Sequence, residues 1–388
     1  MTLETAQPWD GTETAAGSSS TAAHLRAVWR FEVETDPEAA LSRWGGFLDQ
    51  FASHSFQSEQ WISNWYNFAA ERGLAEPIFV VAEQKVHSNQ TQVRVALPLC
   101  RYRRLGAWVI AAPDLGVSDV FAPVTNQPGV LEQTDFIELI KAVRIALPPH
   151  DLILLQRLDL NQLAEGPAPV GSRHLLELNV AAWRKPIDEQ VRTALFSTFS
   201  KKLRSTAKKK IRAMSSDVQR ELVHQWPVRE PQVLKQIWEM RDRRRDALAP
   251  GEHGSNVDWS AFYQRMHETG ADSSPFCATV LYANGRTVSA ALGIRHHHQV
   301  TGIVLTMEPG EHEKYSPGLQ AAIGFIERAA EQGLDAVDFS IGNQPYKKSL
   351  GAIPRPLHTL LVPNSWLGNA LWLGWKLRHA IRRRLEKR

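Results

Sequence analysis

The dipeptide Asn284-Gly285, set between two strand-like runs from Phe276 to Ala283 and from Arg286 to Arg295, leaves this stretch almost no choice of structure. A type I′ turn needs positive φ at both central residues, which Asn and Gly tolerate, so the runs close into a hairpin. A third run, Val300 to Met307, extends it to a meander. Ser316-Pro317-Gly318 then opens a helix from Pro317 to Gln332, with Ser316 as its predicted N-cap and Pro317 preorganised for the first position. Leu319, Ala322, Ile323 and Ile326 share one helical face until Gly333 ends it. A short strand (Ala336 to Ile341), a helical turn (Tyr346 to Leu350) and a last strand (Leu357 to Val362) complete the unit.

The half before this unit repeats the mixture of elements without a visible sequence repeat. A strand is predicted from Ala27 to Val33 and helices from Pro37 to Ala52 and Gln57 to Arg72, the second with Trp61, Trp65 and Phe68 at helical spacing. Strands follow at Ile78 to Gln84, Gln92 to Arg101 and Ala107 to Ala112, then a helix from Thr134 to Leu147 and a strand from Leu152 to Gln156. Gly166, Pro167, Pro169 and Gly171 read as a connector, after which a strand from Leu175 to Val180 begins the second unit. Helical spacing covers Glu189 to Ser215, Pro231 to Ala247 and Trp259 to Glu268. The organisation expected is a disordered leader at 1–24, an N-terminal unit at 25–165, a C-terminal unit at 166–364 and a basic amphipathic tail at 365–388.

Composition excludes several classes. The chain has 388 residues, 43% hydrophobic and 22% charged, with no apolar run near 18 residues, so no transmembrane helix is expected. Cys100 and Cys277 are too few for a disulfide framework and lie in no metal-binding spacing, so both read as packing residues in a reducing compartment. The first residues lack the basic start and apolar core of a signal peptide, which makes cytoplasmic residence the expectation. Of the net charge of +4, the stretch Lys376 to Arg388 alone carries +6, so the rest of the chain is at −2. A charge concentrated in a tail, not spread over a folded face, argues against a nucleic-acid-binding domain.

The helix opened by Ser316 has no Asp or Glu in its first turn, which leaves its N–H groups and the positive end of its dipole to an external anion such as a pyrophosphate. The strand after it sets Val337, Phe339 and Ile341 on one side and Asp338 and Ser340 on the other, so a polar face is predicted to look away from the main packing contact. His296, His297 and His298 cannot converge on one ion while extended and read as a solvated hairpin turn; no metal is expected. Lys201, Lys202, Arg204, Lys208, Lys209, Lys210 and Arg212 put positive charge on nearly every face of one helix, either a solvated helix or a clamp for a phosphate-bearing molecule. Arg241, Arg243, Arg244 and Arg245 form a second cluster beside Trp238.

Meander, Ser-Pro-Gly helix, Asp338-Phe339-Ser340-Ile341-Gly342 strand, the following Tyr346-Lys347 and the upstream basic helix together resemble the CelD/BcsL-like acetyltransferases of the GNAT superfamily. Ser55-Phe56-Gln57 before Trp61, Leu97-Pro98-Leu99, and Ser118-Asp119 before Pro123 extend the resemblance to the first half. It covers roughly residues 27 to 363 and is strongest over 316 to 351. The family is related to the Fem-type double-GNAT transferases, so the resemblance implies an α/β chain of two GNAT-like units, mixed sheets flanked by helices, with a C-terminal amphipathic helix. It implies acetyl-CoA as co-substrate, with Ser316, Pro317, Gly318 and Leu319 at the pyrophosphate and Asn343 and Lys347 also contacting the cofactor. Tyr346 would protonate the leaving thiolate, or anchor its turn, and Glu308, before Pro309, would accept the nucleophile's proton. Asp119, Arg244 and Asp338 would contact the acceptor; the Trp that usually follows the family's arginine is absent after Arg244.

The tail brings Trp366, Leu367, Leu371, Trp372, Leu373 and Trp375 in front of its cations, too short to span a bilayer but suited to lie on an anionic inner-membrane surface. Alternatively it packs on the protein. The resulting expectation is an N- or O-acetyltransferase acting on a cell-envelope sugar or exopolysaccharide precursor. Two other readings stay open: a Fem-like aminoacyl-tRNA-dependent transferase, and an inactive membrane-associated scaffold in envelope polysaccharide assembly.

Overall fold

The computed structural model describes residues 29–85, 92–114, 116–164, 174–248, 259–270 and 274–385. The predicted leader at 1–24 and the connector at 166–171 lie outside the described residues. The first half runs β1 (Arg30–Glu34), α1 (Pro37–Phe51), α2 (Glu59–Glu71), β2 (Glu76–Lys85), β3 (Gln92–Arg104), β4 (Ala107–Ala111), β5 (Val124–Thr125), α3 (Gln133–Val143) and β6 (Leu152–Leu158). The second opens with β7 (Leu175–Pro186), α4 (Glu189–Ala194), α5 (Lys201–Asp217), β8 (Arg220–Gln225), α6 (Pro231–Leu248) and α7 (Trp259–Thr269). It continues with β9 (Phe276–Ala283), β10 (Arg286–His296), β11 (Gln299–Met307), α8 (Pro317–Glu331), β12 (Ala336–Ile341), α9 (Pro345–Ser349), β13 (Ile353–Pro363) and α10 (Trp366–Leu385).

The β9–β10 turn forms as predicted, with φ of 49° at Asn284 and 74° at Gly285. Strand β8 escaped the sequence reading because it is the sheet's edge strand, paired only with β9, and its sequence RELVHQ is correspondingly polar. Among the described residues all thirteen strands belong to one mixed sheet in the order β1-β2-β3-β4-β6-β13-β7-β12-β11-β10-β9-β8, with β5 beside β3. Strand β13 lies between β6 and β7, pairing Val362 with Ile153 on one side and Arg355 with Ala182 on the other. The last strand in sequence therefore joins the two halves through its hydrogen bonds.

The core joins them too. Trp61 and Trp65 of α2 are buried as their spacing predicts, and Trp61 meets Phe262 of α7 edge-on with ring centroids 5.0 Å apart. Burying such rings contributes about 1.5–3 kcal/mol each. Cys100 and Cys277 are buried, and burial pushes the Cys277 thiol up to about 12, so both serve as packing groups. Among the described residues no helix is long and apolar enough to cross a membrane.

The two halves share one geometric device. Strands β4 and β6 run parallel and pair only at Val109 with Leu152, Ile110 with Ile153 and Ala111 with Leu154. Strands β11 and β12 do the same at Gln299 with Ala336, Val300 with Val337 and Thr301 with Asp338. Beyond those pairs each couple of strands diverges and a cleft opens between them.

Candidate functional site

The cleft between β11 and β12 has a volume of about 200 Å³. Its opening has a local cause. The register of β10 against β11 runs Leu292 with Val304 and then Gly293 with Gly302, so Ile303 is an extra residue that bends β11 away from β12. Gly302 to Leu305 form one wall, Phe339, Ser340 and Ile341 the other, and Ala322 and Phe325 of α8 also line it. Past the last paired residues the β11 edge presents its N–H and C=O groups to the cleft, where an extended amide-bearing chain can pair with them, whereas on β12 the Ser340 N–H and the Ser340 and Ile341 carbonyls are taken by Asp338 and Lys347.

Of the residues singled out in the sequence, Tyr346, Lys347 and Asp119 line this cleft. The Tyr346 ring meets Phe339 at 6.3 Å, and burial pushes its phenol up to about 12. Lys347 is 2% exposed; it donates to the carbonyls of Ile341 at 2.6 Å and Ser340 at 3.3 Å, and burial lowers its ammonium to about 8. Asn343 is turned elsewhere, with its amide donating to the Asn179 carbonyl and accepting from the Ala181 N–H, so it ties β7 to the end of β12. Glu308 is held in an ion pair with Arg243 of α6 and is absent from the cleft lining. Arg244 is half-buried on α6, whereas Arg241, one turn earlier, is the α6 arginine whose charge bears on Asp119.

At the start of α8 one expectation needs correction. Ser316 is not a side-chain cap: it sits in the left-handed region (φ 54°, ψ 56°) and makes no capping hydrogen bond. Its carbonyl accepts from Leu319 and Gln320 at 3.1 and 3.3 Å, and Pro317 has no N–H to give. The N–H of Gly318 has no acceptor among the described residues, so this turn keeps one free donor. The basic helix α5 stands beside it, tied by Lys210 donating to the Lys314 carbonyl and by Tyr315 donating to Asp217 at 2.6 Å. Lys201, Lys202, Lys208, Lys209 and Arg212 of α5 remain exposed.

The polar face of β12 is the second correction. Asp338 and Ser340 are 1% and 3% exposed, because groups from the first half cover them, and the predicted alternation fails at Ile341, which past the irregularity at Ser340 packs with a different set of core residues from Val337 and Phe339. Asp338 accepts from the Ser340 N–H at 2.7 Å and pairs with Arg355 of β13. Arg355 also reaches Asp159 at 3.0 Å, and Asp159 meets His54 Nε2 at 3.1 Å. Burial opposes ionisation of Asp159, yet the His54 hydrogen bond and the Arg355 charge hold it at about 2. Ser340 Oγ donates to Asp119 at 2.6 Å, and burial raises the Asp119 carboxyl above its ordinary range. Ser340 adopts φ 57°, a conformation that costs a non-glycine residue about 1–3 kcal/mol and is held here by its engaged N–H, carbonyl and hydroxyl. His54, Asp159 and Arg355 carried no local signal in the sequence.

The histidine run divides. His297 and His298 are exposed in the β10–β11 turn, but His296 is packed against the Ala52 carbonyl at 3.2 Å, and burial lowers its imidazole to about 4, which corrects its reading as solvated. Among the described residues no group of three His, Cys, Asp or Glu could hold a metal ion.

Comparison with known proteins bears on the second half most directly. Residues 201–348 match the family described as acetyltransferase (GNAT) domain. No curated protein matches the sequence. Among solved structures, FemX aligns with a TM-score of 0.53 at 9% identity, covering 84% of this chain and 96% of its own. A conserved protein of unknown function from Bacteroides thetaiotaomicron VPI-5482 aligns with a TM-score of 0.50 at 12% identity, covering 86% of this chain and 99% of its own. Identities this low speak for the fold alone. By sequence, residues 201–348 are similar to the acetyltransferase (GNAT) domain family, within a chain whose fold is similar to that of FemX.

Proposed function

We propose that the chain is an acetyl-CoA-dependent acyltransferase of the CelD/BcsL kind, acting on an amine or hydroxyl of a cell-envelope sugar or exopolysaccharide precursor. One observation carries this reading: the β11–β12 cleft opens onto the unpaired edge of β11, and the helix that floors it begins with a free N–H beside the exposed lysines of α5. A pantetheine amide chain suits the first feature and a pyrophosphate the second. A Cβ on Gly318 would meet only Met307 Sδ at 3.6 Å and Ser289 Oγ at 4.0 Å, so the approach to this turn is open enough for a phosphate. The co-substrate supplies the thioester. Tyr346, kept protonated by its burial, donates to the departing thiolate.

Acetyl-CoA is expected to titrate the wild-type chain to saturation in a calorimeter. Tyr346→Phe should keep that affinity and release thiol about a hundredfold more slowly, with water as surrogate acceptor. Full release by Tyr346→Phe removes its role as the acid. A chain that ignores acetyl-CoA but binds tRNA with steep salt dependence is instead an aminoacyl-tRNA-dependent transferase.

The same reading includes docking on an anionic membrane surface. Leu371, Trp372 and Trp375 of α10 pack on Leu152, Leu154 and Leu361, while Leu373, Leu377 and Ile381 are 61%, 64% and 50% exposed at four-residue spacing. The helix thus has two apolar faces, one packed and one open, beside exposed Arg378. Leu373→Glu/Leu377→Glu should lose sedimentation with phosphatidylglycerol vesicles and keep the thermal midpoint. Unchanged sedimentation refutes the docking.

A further inference from the structure

The cleft at the first strand divergence, between β4 and β6, is larger than the one in the second half. It measures about 280 Å³ and continues past Arg104 and Gln156 into a second space of about 280 Å³ under α10. Gln57, 2% exposed, lines it; its amide donates to the Val120 carbonyl at 3.0 Å, but its Oε1 is buried without a hydrogen-bond partner. A buried acceptor left unpaired costs about 1–3 kcal/mol and is a ready partner for a ligand's N–H or O–H. The cations along the space outnumber the anions. Arg157 is occupied by Asp114, whereas Arg104 and Arg378 are exposed along its outer part.

The two clefts share a wall one residue thick. Ser118 and Val120 face the first-half cleft, and Asp119 between them lines the β11–β12 cleft. Arg157, which lines the first-half cleft, lies 3.7 Å from Asp119. Both Arg157 and Ser340, the residues that touch Asp119 from the two sides, have positive φ, 54° and 57°.

We propose that the β4–β6 cleft is the acceptor site, taking an amine- or hydroxyl-bearing molecule with a phosphate group, the phosphate on Arg104 and Arg378 and the nucleophile directed at Asp119. The proposal rests on the acyl-CoA reading for the donor. In the transfer the acceptor's nitrogen or oxygen forms a bond to the acyl carbon, and its proton passes to the Asp119 carboxylate. The carbon–sulfur bond breaks and the thiolate takes its proton from Tyr346. Burial, which raises the Asp119 carboxyl, suits it to accept a proton in a way that Glu308, paired to Arg243, is not suited.

The test titrates the full chain with glucosamine 6-phosphate, with glucosamine, and with soluble short-chain phosphatidylglycerol, which separates a sugar phosphate from a lipid phosphate. One of the two phosphate probes should bind saturably and glucosamine should not. Arg104→Glu/Arg378→Glu, at exposed positions, should weaken that probe at least about tenfold while acetyl-CoA affinity stays unchanged. Gly318→Glu should do the reverse. Failure of both phosphate probes, binding that survives the double charge reversal, or binding lost in Gly318→Glu overturns the proposal. Since the probes are titrated without acetyl-CoA as well, failure of the donor reading shows separately, as absent acetyl-CoA binding beside an intact phosphate site.

Discussion

Gly318→Glu is expected to abolish measurable acetyl-CoA binding while leaving the protein at least as stable as the wild type. The two halves of that result have different causes. In the wild type the N–H of Gly318 is the free donor of the first turn of α8, since Pro317 has none and Leu319 and Gln320 already donate to Ser316. A charge-assisted hydrogen bond from it to a pyrophosphate contributes about 1.5–3 kcal/mol, and a carboxylate at the same turn replaces attraction by repulsion. Together these give a loss of about a hundredfold or more in affinity. Stability moves the other way. The added Cβ finds ordinary contact distances, Gly318 has no positive φ to protect, and a negative charge in the first turn favours the helix by about 0.3–1 kcal/mol. Calorimetry and thermal melting on the same preparation check both. Retained binding would move the anion site away from α8; lost binding with a lowered midpoint would mean that the variant is damaged and not blocked.

What the sequence disclosed and what it withheld divide along one line, the distance between partners in the chain. The hairpin at Asn284-Gly285 and helix α8 with its Pro start are local signals, and they form where predicted. The alternation of β12 set Asp338 and Ser340 apart from Val337 and Phe339, but alternation says nothing about what covers them or about the positive φ at Ser340 that displaces Ile341. The cover comes from Asp119, which is 221 residues from Ser340, and from His54, which is 105 residues from its own partner Asp159. No window of sequence contains such pairs. Strand β13 was found by its apolar run, yet its insertion between β6 and β7 depends on the closing of the whole sheet. The α6 arginines were read as a cluster, and helical geometry then decided that Arg241 bears on Asp119 and Arg243 on Glu308. In the first half, the β4–β6 cleft had no motif to announce it, since parallel pairing that ends after three residues is a property of two strands about forty residues apart.

Arg355→Met is expected to cost the fold about 3–5 kcal/mol, because it strands two buried carboxylates. Asp159 and Asp338 are each 1% exposed, and the one guanidinium serves both. Arg355→Met/Asp338→Asn should recover part of the loss, since it removes one of the two stranded charges and keeps an acceptor for the Ser340 N–H. Denaturant titration at neutral pH measures both. The same cluster sets an acid limit. The Asp159 carboxyl is held at about 2 against an ordinary 3.8, so the folded state binds the proton less readily than the unfolded one. That stabilisation, about 2 kcal/mol, is present above pH 4 and is lost as pH falls through 2. Asp119, whose carboxyl is raised, contributes the opposite slope above the ordinary carboxylate range, so stability should rise slightly as pH falls through that range and decline only in stronger acid. In Arg355→Met the Asp159 carboxyl loses its counter-charge and rises toward its unfolded value, so this acid-dependent loss should shrink and be complete at higher pH. A cost below about 1 kcal/mol, or an acid limb unmoved by the substitution, would mean that His54 and the Asn161 N–H suffice to hold Asp159, and that Arg355 is dispensable to the junction of the two halves.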